Sequence, residues 1–196
     1  MFYFLVGIIV VILGASYFLV GRSFFIRRKH ILLTSIFLIV LAWLVYQASL
    51  VYFAWLIDLQ GRYLLPPYRE IAYFLQYVGF RIFVPYIFSF LAGFIFFFAA
   101  KFLNRKYDER FFEPEEPYFL ALSLFLLGHP GWLVYLVAVF VAYFFFHIIH
   151  AFIANRTDRL PFYHFWLPVA LFVILLNEFW FSHTGFWSLM GFGKLM

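Results

Sequence analysis

The stretch ILLTSIFLIVLAWLVYQASLVYFAWLID (31–58) runs to its last residue without one Asp, Glu, Lys, Arg or His, then stops at Asp58. At 1.5 Å per residue, residues 31–57 make a helix of about 40 Å. That exceeds the ~30 Å hydrocarbon core of a bilayer, so lipid is the solvent for which the run is built. Asp58 then falls at or just above an interface. The rest of the chain has the same character: of 196 residues, 67% are hydrophobic and 12% charged, against roughly 45–50% and about 25% in soluble domains. Mean hydropathy is +0.97. A soluble enzyme, a coiled coil and a disordered tail are excluded on these grounds. The absence of cysteine removes disulfides, iron–sulfur clusters, thiolate zinc sites and any Cys nucleophile.

Working outward, apolar runs separated by charge, Gly or Pro predict helices near 2–20, 31–57, 66–80, 82–102, 117–127, 131–154 and 162–181. The expected fold class is all-α: a polytopic helical membrane protein with about seven transmembrane helices. Residues 1–30 form an N-terminal transmembrane helix with its basic loop, and 31–196 form one membrane domain. The N-terminal MFYFLVGIIVVILGASYFLVGR lacks a basic region ahead of its apolar run and is expected to be retained. The net charge of +5 is scattered between apolar runs, which suits topology signals and not nucleic acid.

If all seven helices cross, the loops at 58–65, 103–116 and 155–161 share one face with the N-terminus. Eight basic residues (Arg62, Arg69, Lys101, Arg105, Lys106, Arg110, Arg156, Arg159) then face six (Arg22, Arg27, Arg28, Lys29, Arg81, Lys194). The positive-inside rule puts the first face in the cytoplasm, although RSFFIRRKH (22–30) argues the other way. The short runs 66–80 and 117–127 decide the matter, since each one that fails to cross inverts everything after it.

Four polar places stand out. Asp58 closes the long helix. In RFFEPEEPYFLALSLF (110–125), Glu113, Glu115 and Glu116 crowd before an apolar helix with Pro117 at its first turn, an arrangement that also serves simply to satisfy free N–H groups and the helix dipole. His147 and His150 lie one turn apart with His164 beyond, but a metal site needs further ligands. Glu178, followed by His183, suits anchoring at the opposite interface. On the seven-span topology Asp58 and Glu116 share a face. Two adjacent carboxyls cannot both ionise cheaply, so one keeps its proton and polarises a carbonyl while the other activates water. Their oxygens would have to stand within about 3–6 Å or share one water.

At these residues the sequence resembles the prepilin peptidase family and its archaeal prearchaellin-peptidase relatives, GxGD-type membrane aspartyl peptidases. AWLIDLQGRYLLP (54–66) resembles the segment around the family's first catalytic aspartate, with Asp58 in that place. EPEEPYFLA (113–121) aligns with G-x-G-D-x-K-L-L-A, which sets Glu116 at the second aspartate with Glu115 in reserve; Glu113 and Glu115 stand where the family has glycines, and the lysine is absent. LGHPGW (127–132) and DRLPFYHF (158–165) are similar to the family's Gly-Trp turn and to the segment leading into its last span. The resemblance covers 31–181 and implies a six-helix core from the Asp58 helix onward. It also implies cleavage of pilin-type precursors, with basic leader and apolar helix, at the cytoplasmic (inner) membrane. The proposed Asp58–Glu116 pair needs no cofactor and no metal. Acids at Asp108, Glu109, Glu113, Glu115 and Glu116 would attract such a leader. The family's cysteine-bearing insertion has no counterpart here, so methyl transfer is not expected. Two other readings stand beside this one: a catalytically degenerate relative acting as membrane scaffold or partner-binding subunit, and a His-based metal or redox subunit. Partners are the lipid bilayer and a pilin-like precursor, not nucleic acid.

Overall fold

The computed structural model describes residues 2–15, 22–107, 111–154 and 163–181. Among them regular structure is helical throughout: α1 (Phe2–Ala15), α2 (Arg22–Ile57), α3 (Ile71–Val78), α4 (Val84–Lys106), α5 (Glu116–Leu127), α6 (Gly131–Ala154) and α7 (Tyr163–Leu176). The all-α expectation holds at that level.

Two rods dominate. α2 has 36 residues, about 54 Å. α3, a π turn (Gly79–Phe83) and α4 run end to end as a second rod, Ile71–Lys106, also of 36 residues. The rods form an antiparallel hairpin through residues 58–70, with Phe37 against Phe90, Tyr52 against Phe74 and Trp55 against Tyr77. The predicted helices 66–80 and 82–102 are therefore one element, not two crossings. Arg81 does not break the rod, because its Nη1 donates back one turn to the Tyr77 hydroxyl at 2.8 Å. Pro85, in the first turn of α4, follows the π turn, whose wider pitch takes up the carbonyls that a proline ring cannot pair. Pro66 and Pro67 lie in the connecting loop and do not open a helix.

α5 is the axis of the bundle. All its residues except Ala121 are buried, enclosed mainly by α4, α6 and α7. With 12 residues it is about 18 Å long, too short to cross alone. Gly128, at φ 64°, turns the chain into α6, and the His129 N–H donates to the Pro85 carbonyl at 3.2 Å. Irregular backbone at this depth is tolerated only where protein satisfies it. α6 returns antiparallel to α5, and Tyr135 on α6 donates its hydroxyl to the Trp166 carbonyl on α7 at 3.0 Å. α1 lies antiparallel on α7, Gly7 facing Ile174 and Gly14 facing Leu167.

Three stretches, Arg27–Ile57, Ile71–Lys106 and Gly131–His150, are long and apolar enough to cross a membrane, and only 17%, 17% and 11% of their most apolar windows are buried. Side chains such as Ile95, Phe98, Phe140 and Phe144 point outward. An apolar surface on this scale calls for lipid. Three such helices, with shorter apolar ones at Val6–Ala15, Glu116–Leu127 and Phe165–Trp180, stand where about seven spans were expected. Arg22–His30, expected as a loop, are the first turns of α2, so a boundary at residue 30 cuts a helix; α1 belongs to the same bundle as the rest. Asp108, Glu109, His183 and the 155–161 loop lie outside the described residues.

Candidate functional site

Asp58 follows the last residue of α2. Its backbone N–H still bonds to the Ala54 carbonyl at 3.0 Å, and its Oδ2 accepts the Gly61 N–H at 2.7 Å. That bond folds the chain back into a short 3₁₀ turn, Gly61–Leu64. The return is tight: a Cβ on Gly61 would stand 3.0 Å from the Trp55 Cα. Leu65 is thereby buried among Trp55, Phe74 and Val78. The Asp58 side chain is exposed and ends a helix.

Glu116 opens α5 and is fully buried, with Glu115 at 1% exposure. Glu116 and Glu113 bond reciprocally: the Glu116 N–H donates to the Glu113 carbonyl at 3.0 Å, and Glu116 Oε2 accepts the Glu113 N–H at 3.1 Å. Asn104, near the end of α4, clamps the segment leading into α5. Its Oδ1 accepts from the Phe111 and Phe112 N–H groups while its Nδ2 donates to the Phe112 carbonyl. Two residues past Glu116, Tyr118 receives a 3.3 Å hydrogen bond on its hydroxyl from Lys101 Nζ, and Lys29 Nζ stands 4.7 Å from its ring centroid. His30 meets the same ring edge-on. Tyr118 lies outside the three spanning stretches. Burial alone would raise its phenol, but the Lys101 hydrogen bond and the two ammonium charges outweigh burial and hold it below the ordinary tyrosine value.

The structure does not bring Asp58 and Glu116 together. Tyr118 packs on Lys29 near the start of α2, whereas Asp58 follows its end; at 1.5 Å per residue the separation is about 40 Å. The expected 3–6 Å pair is absent, and Glu115, held beside Glu116, fares no better. The reason is parity. Two crossings over 66–102 would have returned the chain to the Asp58 side, but Ile71–Lys106 is a single rod, long and apolar enough for one crossing, and it leaves Glu113–Glu116 at the other end. Glu178 lies past the end of α7, which runs parallel to α5, so it stands across the bundle from Glu116 as expected, but on the side of it toward Asp58 and not opposite Asp58.

His147 and His150 share a face of α6, where His147 stacks on Tyr143 at 5.9 Å. Among the described residues no group of three or more His, Asp or Glu is placed to hold a metal. The cluster that sequence reasoning missed is Lys29, Lys101 and Tyr118. In the sequence both lysines carry only a topology signal, each sitting where an uncharged run meets its basic flank. The chain matches no protein-family model, no curated protein and no solved structure.

Proposed function

We propose that this chain is a membrane-embedded scaffold or partner-binding subunit, a catalytically degenerate relative of the prepilin-peptidase pattern. The observation that carries this reading is the separation of about 40 Å between Asp58 and Glu116, each of which also has a local task, one ending α2 and the other opening α5. Orientation follows from charge. Arg27, Arg28, Lys29, Lys101, Arg105 and Lys106 lie at the Glu116 end, against Arg62, Arg69 and Arg81 at the Asp58 end, so the Glu116 end faces the cytoplasm of an inner membrane. The partner that suits the outward apolar faces of α2 and α4 is another apolar helix, bound by packing in lipid. A pilin-like helix is the candidate from the sequence resemblance.

The test is incubation of reconstituted protein with a peptide bearing a basic leader and an apolar helix. Association without cleavage is the expected result, identical in wild type, Asp58→Asn and Glu116→Gln. Cleavage by wild type that disappears in either variant, with insertion preserved, would overturn the reading and restore a peptidase.

A further inference from the structure

Beside Tyr118 an apolar groove of about 330 Å³ opens between α2, α4 and α5, walled by Leu33, Phe37, Phe90, Phe94, Ala121 and Phe125. Tyr118 forms one end of it. Lys29 Nζ and Lys101 Nζ approach that one ring, at 4.7 and 5.2 Å from its centroid. Among the described residues neither lysine has a carboxylate ion partner. Two ammonium groups converging at the edge of a low-dielectric region repel each other unless an anion shares the space. Their depth is also informative. Lys29 lies at the start of the apolar stretch Arg27–Ile57 and Lys101 near the end of Ile71–Lys106, each where the apolar run meets its basic flank, which is headgroup level for a spanning helix. The groove runs from them along the apolar part of both helices.

We propose that this groove is a site for an anionic, phosphate-headed membrane lipid, with its phosphate between Lys29 and Lys101 and one acyl chain lying between α2, α4 and α5. The wall offers hydrocarbon and aromatic faces to the chain. The lysines offer point charges without planar geometry, suited to a phosphate. Neither the lysines nor Glu113, Glu115 and Glu116 form the groove wall; the lysines reach its end at the Tyr118 ring, whereas Glu116 Oε2 is bonded toward the Glu113 backbone. A zwitterionic headgroup would bring its own cation against two lysines.

Titration of the full chain in mild detergent, with bound lipid counted by native mass spectrometry, tests the proposal with phosphatidylglycerol, phosphatidylcholine and inorganic phosphate as probes. One phosphatidylglycerol should bind at least about tenfold more tightly than phosphatidylcholine. Free phosphate, lacking a chain, should not compete. Lys29→Gln with Lys101→Gln should weaken phosphatidylglycerol about 30-fold, while Arg105→Gln with Lys106→Gln, basic residues of the same end outside the Tyr118 cluster, should leave it unchanged. Thr34→Trp, which fills the groove from its exposed α2 wall and keeps both lysines, should also abolish binding. Equal affinity for the two lipids, competition by phosphate alone, wild-type binding by the double-lysine variant, or wild-type binding by Thr34→Trp would each overturn it.

Discussion

At Gly93 the two central helices approach so closely that an added Cβ would lie 2.8 Å from the Ala121 carbonyl oxygen. That oxygen belongs to helix backbone and cannot rotate away, so Gly93→Ala must push α5 by about 0.6 Å to reach ordinary contact. α5 is enclosed by α4, α6 and α7, and the displacement is passed to packed side chains. Overpacking of this kind costs about 1–3 kcal/mol, and the better helix propensity of Ala offsets about 1 kcal/mol. Taken from the middle of that range, the net expectation is a loss of about 1 kcal/mol. Gly79→Ala is the matched control, since an added Cβ there meets nothing within 4 Å and the residue already has helical angles; it should gain up to about 1 kcal/mol. Reversible unfolding in mixed micelles with increasing dodecyl sulfate, followed by circular dichroism, reads both. Shifts of the two midpoints in the same direction, or a Gly93→Ala protein as stable as wild type, would refute the α4–α5 packing described here.

The chain contains no cysteine, so single-cysteine labelling reads topology directly. Gln60→Cys and Arg105→Cys should react with an impermeant maleimide from opposite sides of the membrane, and reaction from one side would mean that 71–106 does not cross once. Tyr135→Phe removes the donor to the Trp166 carbonyl and should cost about 1 kcal/mol in the same unfolding assay, within the range of interhelical hydrogen bonds in membranes; no change would show that the α6–α7 contact does not depend on it. Asp58→Ala should lose about 1 kcal/mol at the α2 exit and speed exchange of the Gly61 amide about fivefold. Asp58→Asn, which keeps an acceptor, should not, and equal exchange in both variants would remove the turn role assigned to Asp58.

The membrane character of the chain was legible because it depends on length and composition alone: nothing but lipid suits residues 31–57. Helix positions from 116 onward were legible for a related reason, since Pro117, the Gly128–Pro130 turn and Gly131 punctuate the chain wherever the bundle is folded. Counting crossings failed at Arg81. A charge between two apolar runs resembles a loop, but a lone arginine can turn its guanidinium along its own helix to Tyr77 and leave the backbone intact. One misplaced break changed the parity of the chain and moved Asp58 to the side of Glu116 on paper. The Lys29–Lys101–Tyr118 cluster was out of reach for a different reason: it exists only in the relative register of three helices, and no local pattern encodes that register.

The acids before Pro117 show how one motif admits two physical explanations. A helix of 12 residues embedded in a bundle has unpaired N–H groups at its start and unpaired carbonyls at its end, and in hydrocarbon each such group costs several kcal/mol. α5 meets this demand locally. The Glu115 carbonyl accepts the Tyr118 and Phe119 N–H groups, Glu116 and Glu113 bond to each other, and two buried carboxylate-bearing residues lie at the positive end of the helix dipole. At the other end the positive-φ Gly128 and the His129-to-Pro85 bond complete the backbone. A helix that must begin inside protein therefore needs acids at this position whether or not the chain hydrolyses anything. The Glu-Pro-Glu-Glu-Pro sequence becomes evidence of catalysis only if a second carboxylate faces it, and the Asp58 that was to play that part lies at the far end of α2.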